Sequence, residues 1–112
     1  MNERREHMRV DLSLPVLCEP ALGDAFGGVV ANLGLGGACI EGSEAPPTGT
    51  ELFIAARLPG MPDLSRLPAS VKWVRGREFG VLFGPLGAPV ARRIAEMMAD
   101  AMRLRSQLSA PS

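Results

Sequence analysis

The sequence has no tyrosine, only one histidine, and no excess of either charge, since 12 basic residues balance 12 acidic ones. One histidine, with no serine–histidine–aspartate set and no paired carboxylates, leaves acid–base and nucleophilic catalysis without its groups, so we expect no enzyme and no catalytic residue. His7 stands among arginines and does not form a zinc site with the cysteines, so neither a metal nor another cofactor is expected. A binder of DNA or RNA would need a basic excess or several aromatic platforms. With four Phe, one Trp and zero net charge, we expect neither DNA nor RNA as a partner, and a single-strand-binding barrel stays only a third option.

Long hydrophobic runs are also missing. No stretch approaches the roughly 18 consecutive apolar residues of a membrane-spanning helix, so membrane insertion is not expected. The charged residues between Glu3 and Glu6 are unlike a secretory signal, which predicts a cytoplasmic location. The two cysteines, Cys18 and Cys39, lie in apolar strand-like runs and are expected to be reduced packing residues.

Six short strand-like segments are present, separated by turns rich in glycine and proline. In the first, 10–18, apolar side chains alternate with polar ones, and Pro15 indicates an edge or a bulge. The others lie near 29–33, 38–41, 51–58, 69–75 and 78–83. The strand at 69–75 is expected to follow a loop whose prolines and glycine, the last of them Pro68, interrupt regular structure. The last two segments are joined across Arg75-Gly76-Arg77, which reads as a hairpin. They carry Trp73 and Phe79, which are expected to pack in the core, although either could flank a binding site. This pattern predicts a mainly β fold, a small six-stranded antiparallel β-barrel.

Beyond Gly84 the hydrophobic period changes from two to that of a helix. The apolar residues at this spacing are Val90, Ile94, Met97, Met98, Ala101, Leu104 and Leu108. They predict an amphipathic C-terminal α-helix that caps the barrel, although its methionines could instead form a partner surface. The predicted organisation is a flexible N-terminal arginine segment (1–9), a barrel (10–84) and a helix (88–108).

Two polar features remain once the core has been assigned. Arg4, Arg5 and Arg9 lie within the first nine residues, and Asn32 to Gly37 reads NLGLGG. Arginine can grip phosphate oxygens or the O6/N7 edge of guanine through paired N–H donors. Glycines let backbone approach a flat ligand closely. The pair therefore indicates a binding site for a ligand that carries phosphates and guanine.

In order and spacing, these features resemble the PilZ domain, a bacterial receptor module for cyclic di-GMP. RREHMR resembles the arginine motif of that family, NLGLGGACI its Asp/Asn-x-Ser-x-x-Gly turn, and VKWVRGREFGVLF (71–83) its closing hairpin. One position departs from the family pattern, because Gly34 stands where serine is usual. A hydroxyl that could bond the ligand is thereby lost, which would weaken binding roughly tenfold or more.

The resemblance implies a cyclic di-GMP site formed by Arg4, Arg5, Arg9, Asn32, Gly34 and Gly37. Arg5 and Arg9 would contact phosphate and guanine, Asn32 would accept from the guanine edge, and Arg4 would stack on a base or hold the second phosphate. At least one of the three glycines Gly34, Gly36 and Gly37 is expected to have positive φ, with Gly37 allowing close ligand approach.

The resemblance also implies a mechanism. The arginine segment would become ordered when cyclic di-GMP binds, and an unidentified downstream protein would read the new surface of this monomer or weak dimer. The alternative is a degenerate PilZ-like domain that binds no nucleotide and serves as a protein-interaction adaptor.

Overall fold

A computed structural model of the protein describes residues 9–109. Its elements are β1 (Arg9–Pro20), β2 (Phe26–Gly34), β3 (Gly37–Gly42), β4 (Glu51–Ala56), β5 (Ser65–Arg75), β6 (Glu78–Phe83) and α1 (Ala88–Ser109). All neighbouring strands are antiparallel, and they close in the order β1-β2-β3-β6-β5-β4. The predicted fold class, a six-stranded antiparallel barrel with a C-terminal helix, is confirmed.

The alternation predicted for β1 is present and continues further than expected. Val10 and Val16 are buried, and beyond them Leu17 points outward while Cys18 is fully buried in the core. The strand therefore reaches Pro20, because β4 pairs with it from Leu17 onward. Pro15 precedes that ladder and pairs only with β2, so its missing N–H leaves no gap between strands.

The segment around Pro68 is a strand, not the loop that its breakers indicated. β5 begins at Ser65, and Pro68 pairs with Phe53 of β4. On the opposite edge of β5, pairing with β6 begins only at Ala69, one residue after Pro68. The strand therefore tolerates a residue that has no N–H to donate at this position. The hairpin predicted at Gly76 is confirmed: Gly76 has φ +64°, which suits the first position of a two-residue hairpin loop.

Two bulges reverse the facing of the side chains that follow them. In β2, Val30 pairs with Ile40 and Asn32 with Cys39, so Ala31 is an extra residue. In β5, the register skips a residue in the same way between Val71 and Trp73. A bulged strand shifts its alternation by one residue, so a side chain that would have faced the core faces outward instead.

The helix caps one end of the barrel, as predicted. Ile94 and Met98 are buried in the same core cluster as the inward-facing strand residues, and Val90, Met97 and Ala101 pack at its edge. The last turns extend past the core, since Leu104 and Leu108 are exposed.

Candidate ligand-binding site

One row of paired residues crosses five strands on the outer wall of the barrel. Asp11 pairs with Asn32, Asn32 with Cys39, Cys39 with Gly80, and Gly80 with Trp73. The two bulges place Asn32 and Trp73 in this outward row, although each lies two positions after a buried valine of its own strand, Val30 or Val71. Residues far apart in the sequence thereby share one surface.

The N-terminal arginine motif and the glycine turn meet on this surface. Arg9 Nη1 donates a hydrogen bond of 2.7 Å to Asn32 Oδ1, although 23 positions separate the two residues. Register explains the contact, because Arg9 pairs with Gly34 and Asp11 with Asn32, which leaves Arg9 diagonal to Asn32. Both side chains project from the outer face of the barrel. In β1 the odd-numbered residues face outward, and in β2 the even-numbered residues do so after the bulge.

A cleft of about 520 Å³ opens beside this contact, and we call it the Arg9–Asn32 cleft. Its lining combines cations, one carboxylate and one aromatic ring. The residues that line the cleft come from the outward row and the positions beside it: Arg9, Asn32, Ala38, Cys39, Lys72, Trp73, Arg75, Glu78, Gly80, Val81 and Leu82. Three basic side chains around a groove of this size suit a ligand that carries more than one negative charge.

Trp73 lies in the cleft and not in the core, contrary to the sequence prediction. Its side chain is 38% exposed, whereas Phe79 is fully buried as predicted. The bulge at Lys72 turned the ring outward, and Gly80 makes room for it, because a Cβ there would lie 2.1 Å from Trp73 Nε1. Arg75 sits over the indole, with its guanidinium carbon 5.3 Å from the ring centroid.

Cys39 forms part of the floor of the cleft and is hydrogen-bonded to the carboxylate of Glu78, which forms part of the cleft wall. Both cysteines are free and buried, as predicted, but only Cys18 belongs to the barrel core. Cys39 Sγ donates to Glu78 Oε2 at 3.2 Å. Burial, and then the bonded Glu78 carboxylate, raise the pKa of the Cys39 thiol to about 11, so it remains a protonated donor at neutral pH.

The glycine turn differs from its prediction in backbone conformation. None of Gly34, Gly36 and Gly37 has positive φ in the described chain. Gly34 ends β2 and Gly37 begins β3, so both adopt extended strand geometry. What Gly37 approaches closely is the protein itself, because a Cβ there would lie 2.2 Å from the Val81 carbonyl oxygen.

Of the predicted site residues, Arg9 and Asn32 line the cleft, while Gly34 lies opposite Arg9 in register. Arg4 and Arg5 lie outside the described residues. Sequence reasoning missed Lys72, Arg75 and Glu78, which come from the hairpin 40 residues beyond Asn32. The one available signal was the run Val71-Lys72-Trp73-Val74, where polar and apolar positions fail to alternate as a regular strand requires.

Within residues 9–109, no three His, Cys, Asp or Glu side chains are grouped so that they could hold a metal ion. In the same range, no helix has both the length and the hydropathy to cross a membrane.

Comparison with known proteins agrees with the fold described above. The family model of the PilZ domain matches residues 3–100. The chain therefore belongs to the PilZ family, the class of cyclic di-GMP receptor domains that its motifs resemble. No curated protein sequence matches the chain.

Solved structures with the same fold are distant in sequence. The PilZ domain of YcgR from Escherichia coli, solved with c-di-GMP, has a TM-score of 0.72 at 16% identity, covering 96% of this chain and 98% of that one. Bacillus subtilis MotI/DgrA, an inhibitor of motility, has a TM-score of 0.72 at 17% identity, covering 97% of this chain and 55% of that one. The PilZ domain of CeSA from a cellulose-synthesizing bacterium has a TM-score of 0.66 at 18% identity, covering 83% and 96%.

Proposed function

We propose that this protein is a cytoplasmic cyclic di-GMP receptor that binds its ligand in the Arg9–Asn32 cleft. The observation that carries the proposal is the 2.7 Å hydrogen bond between Arg9 and Asn32. It joins the two motifs that resemble those of the family, at the edge of a cleft lined by two further cations. The complex of the YcgR PilZ domain with c-di-GMP supports the choice of ligand.

The chemistry of the cleft fits the two phosphates and two guanines of this ligand. Arg9, Lys72 and Arg75 supply positive charge, and a guanidinium can bond a phosphate or the guanine O6/N7 edge through two parallel N–H groups. Trp73 offers a partly exposed ring on which a base can stack.

In this proposal the segment that carries Arg4 and Arg5 closes over the bound ligand. Arg9 is the first residue of β1 and already faces the cleft, so a chain that continues from it starts beside the ligand. Closure would fix a surface that a downstream protein then reads, and the free energy of ordering the segment would be subtracted from the affinity.

An adaptor that binds no nucleotide is the second candidate, and two observations favour it. Arg9 already donates to Asn32 Oδ1, so only one of the two lone pairs of that oxygen is open to guanine. Gly34 lacks the hydroxyl that the family usually has at this position. Either loss would weaken a ligand contact by about 1 kcal/mol, and by more if a charged group is involved.

Isothermal titration of the full chain with cyclic di-GMP separates the two candidates. GTP, cyclic GMP and a short single-stranded RNA serve as controls for guanine, for cyclic phosphate and for general polyanion binding. Saturable heat with cyclic di-GMP alone is the expected result. No heat with any nucleotide would overturn the receptor and leave the adaptor as the remaining candidate.

A further inference from the structure

Glu78 is an acidic residue in a cleft that otherwise carries cations. It is the first residue of β6, it is half-buried, and it pairs with Arg75 across the hairpin. Among residues 9–109, the side chain that bonds its carboxylate is the thiol of Cys39, and no basic side chain lies within ion-pair distance of it. A carboxylate has about four acceptor positions, so the bond from Cys39 leaves most of them available to a ligand in the cleft that Glu78 lines.

We propose that Glu78 is the residue that reads guanine in this cleft, accepting the N1–H and N2–H₂ donors of one base through its carboxylate. The inference rests on the proposed function and extends it to base specificity. It gives the cleft a charged acceptor beside Asn32, whose Oδ1 already accepts one hydrogen bond from Arg9.

The chemistry of the base edge explains why a carboxylate selects guanine. Guanine presents two adjacent donors, which match two carboxylate oxygens, and the acceptor is charged, so each bond is stronger than a neutral one. Adenine presents an acceptor at N1, which a carboxylate without a proton would repel. A receptor with Glu78 in this role distinguishes cyclic di-GMP from cyclic di-AMP, although the phosphates of the two ligands are identical.

Cys39 acts as a positioning residue for Glu78. Its thiol bonds Oε2 from the cleft floor and limits the rotamers open to the carboxylate. Because the pKa of the thiol is raised to about 11, it donates this bond throughout the neutral range.

The opposite role for Glu78 is simple repulsion of the ligand phosphates, and the two roles predict changes of opposite sign. Glu78→Gln keeps the size of the side chain but replaces one acceptor oxygen with a donor. If Glu78 reads guanine, this variant binds cyclic di-GMP about 10- to 100-fold more weakly while its affinity for cyclic di-AMP is unchanged or higher. If Glu78 only repels phosphate, the variant binds both ligands more tightly.

The experiment titrates wild type, Glu78→Gln and the control Glu51→Gln, an exposed carboxylate on β4 outside the cleft, with each cyclic dinucleotide. Equal or tighter cyclic di-GMP binding by Glu78→Gln would overturn the inference while leaving the proposed function intact. Failure of the wild type to bind either ligand would overturn both.

Two cysteine variants test the positioning role by the ratio of the two affinities. Cys39→Ala is expected to lower the preference for cyclic di-GMP, and Cys39→Ser to restore most of it, since a hydroxyl also donates. These variants leave Glu78 in place and test how Cys39 positions it. If Glu78→Gln folds poorly, equal affinities of the wild type for cyclic di-GMP and cyclic di-AMP would overturn the role of Glu78. An unchanged ratio in Cys39→Ala would remove Cys39 from the account.

Discussion

The bond between Arg9 and Asn32 has a consequence at the scale of single residues: a ligand that enters the cleft must share or replace it. A guanidinium has five N–H donors, and the bond to Asn32 uses one of them. Arg9 can therefore contact a phosphate without losing Asn32. The bond also holds the guanidinium at the cleft before ligand arrives, which reduces the rotamer entropy lost on binding.

Arg9→Ala is expected to weaken cyclic di-GMP binding by at least 10- to 100-fold, because it removes a charged hydrogen bond to the ligand. Its effect on the free energy of unfolding should stay within about 0.5 kcal/mol, since the side chain is exposed. Calorimetric titration and thermal melting measure the two quantities. Arg92→Ala, an exposed arginine on α1, is the matched control and should change neither.

Arg5→Ala is expected to behave like Arg9→Ala, although Arg5 lies outside the described residues. A large fall in melting temperature in either variant, measured without ligand, would contradict a binding role and show that the arginine stabilises the fold.

Gly34→Ser is expected to tighten cyclic di-GMP binding about tenfold by restoring a hydroxyl on the face that carries Arg9. The backbone permits the change, because Gly34 lacks the positive φ that would strain a larger residue. Titration of the variant beside the wild type measures the gain. Equal or weaker affinity would show that this position does not face the ligand.

At the scale of elements, the two bulges separate what could be predicted from the sequence from what could not. Period-two alternation identified β1 and the closing hairpin, and helical spacing identified α1. Trp73 was assigned to the core because large aromatic rings are usually buried. A regular strand would also have placed it on the same face as Val71, which the structure buries. A bulge depends on the register of two strands, and register is a property of pairing that a single strand does not encode.

The same limit applies to the site. Arg9 and Asn32 were found because each belongs to a recognisable local motif. Cys39 and Glu78 lie inside two of the quoted motifs, but at positions to which the resemblance gives no role, and they become neighbours only when β3 pairs with β6.

Gly80→Ala tests how the hairpin holds Trp73. A methyl group would collide with the indole, so the ring must move off the sheet, and we expect a red-shifted emission maximum as it becomes more exposed. Trp73 is the only tryptophan, so the fluorescence reports this ring alone. Gly27→Ala, which meets no atom within 4 Å and lies on β2, is the control. An unchanged spectrum in Gly80→Ala would mean that the ring does not rest on Gly80.

At the scale of the whole molecule, the missing tyrosine makes alkaline stability simple to interpret. Burial raises the pKa of Cys18 from 9.0 to about 11. Between these values the unfolded chain releases the thiol proton while the folded chain keeps it, so the free energy of unfolding falls as pH rises. The stabilisation is complete below pH 9 and is lost by about pH 11; it amounts to about 2 to 3 kcal/mol for Cys18 at about 1.36 kcal/mol per pKa unit.

Urea denaturation of the reduced protein at several pH values between 8 and 11 measures this loss. With no tyrosine and Lys72 as the single lysine, few other side chains titrate in the window. Cys18→Ala is expected to be less stable at pH 8, because it leaves a small cavity in the core, but to lose less stability on going to pH 11. The remaining loss belongs largely to Cys39, whose pKa is raised to about 11 as well. Parallel pH profiles for wild type and Cys18→Ala would contradict the prediction, because they would show that the Cys18 thiol ionises as easily in the closed barrel as in the unfolded chain.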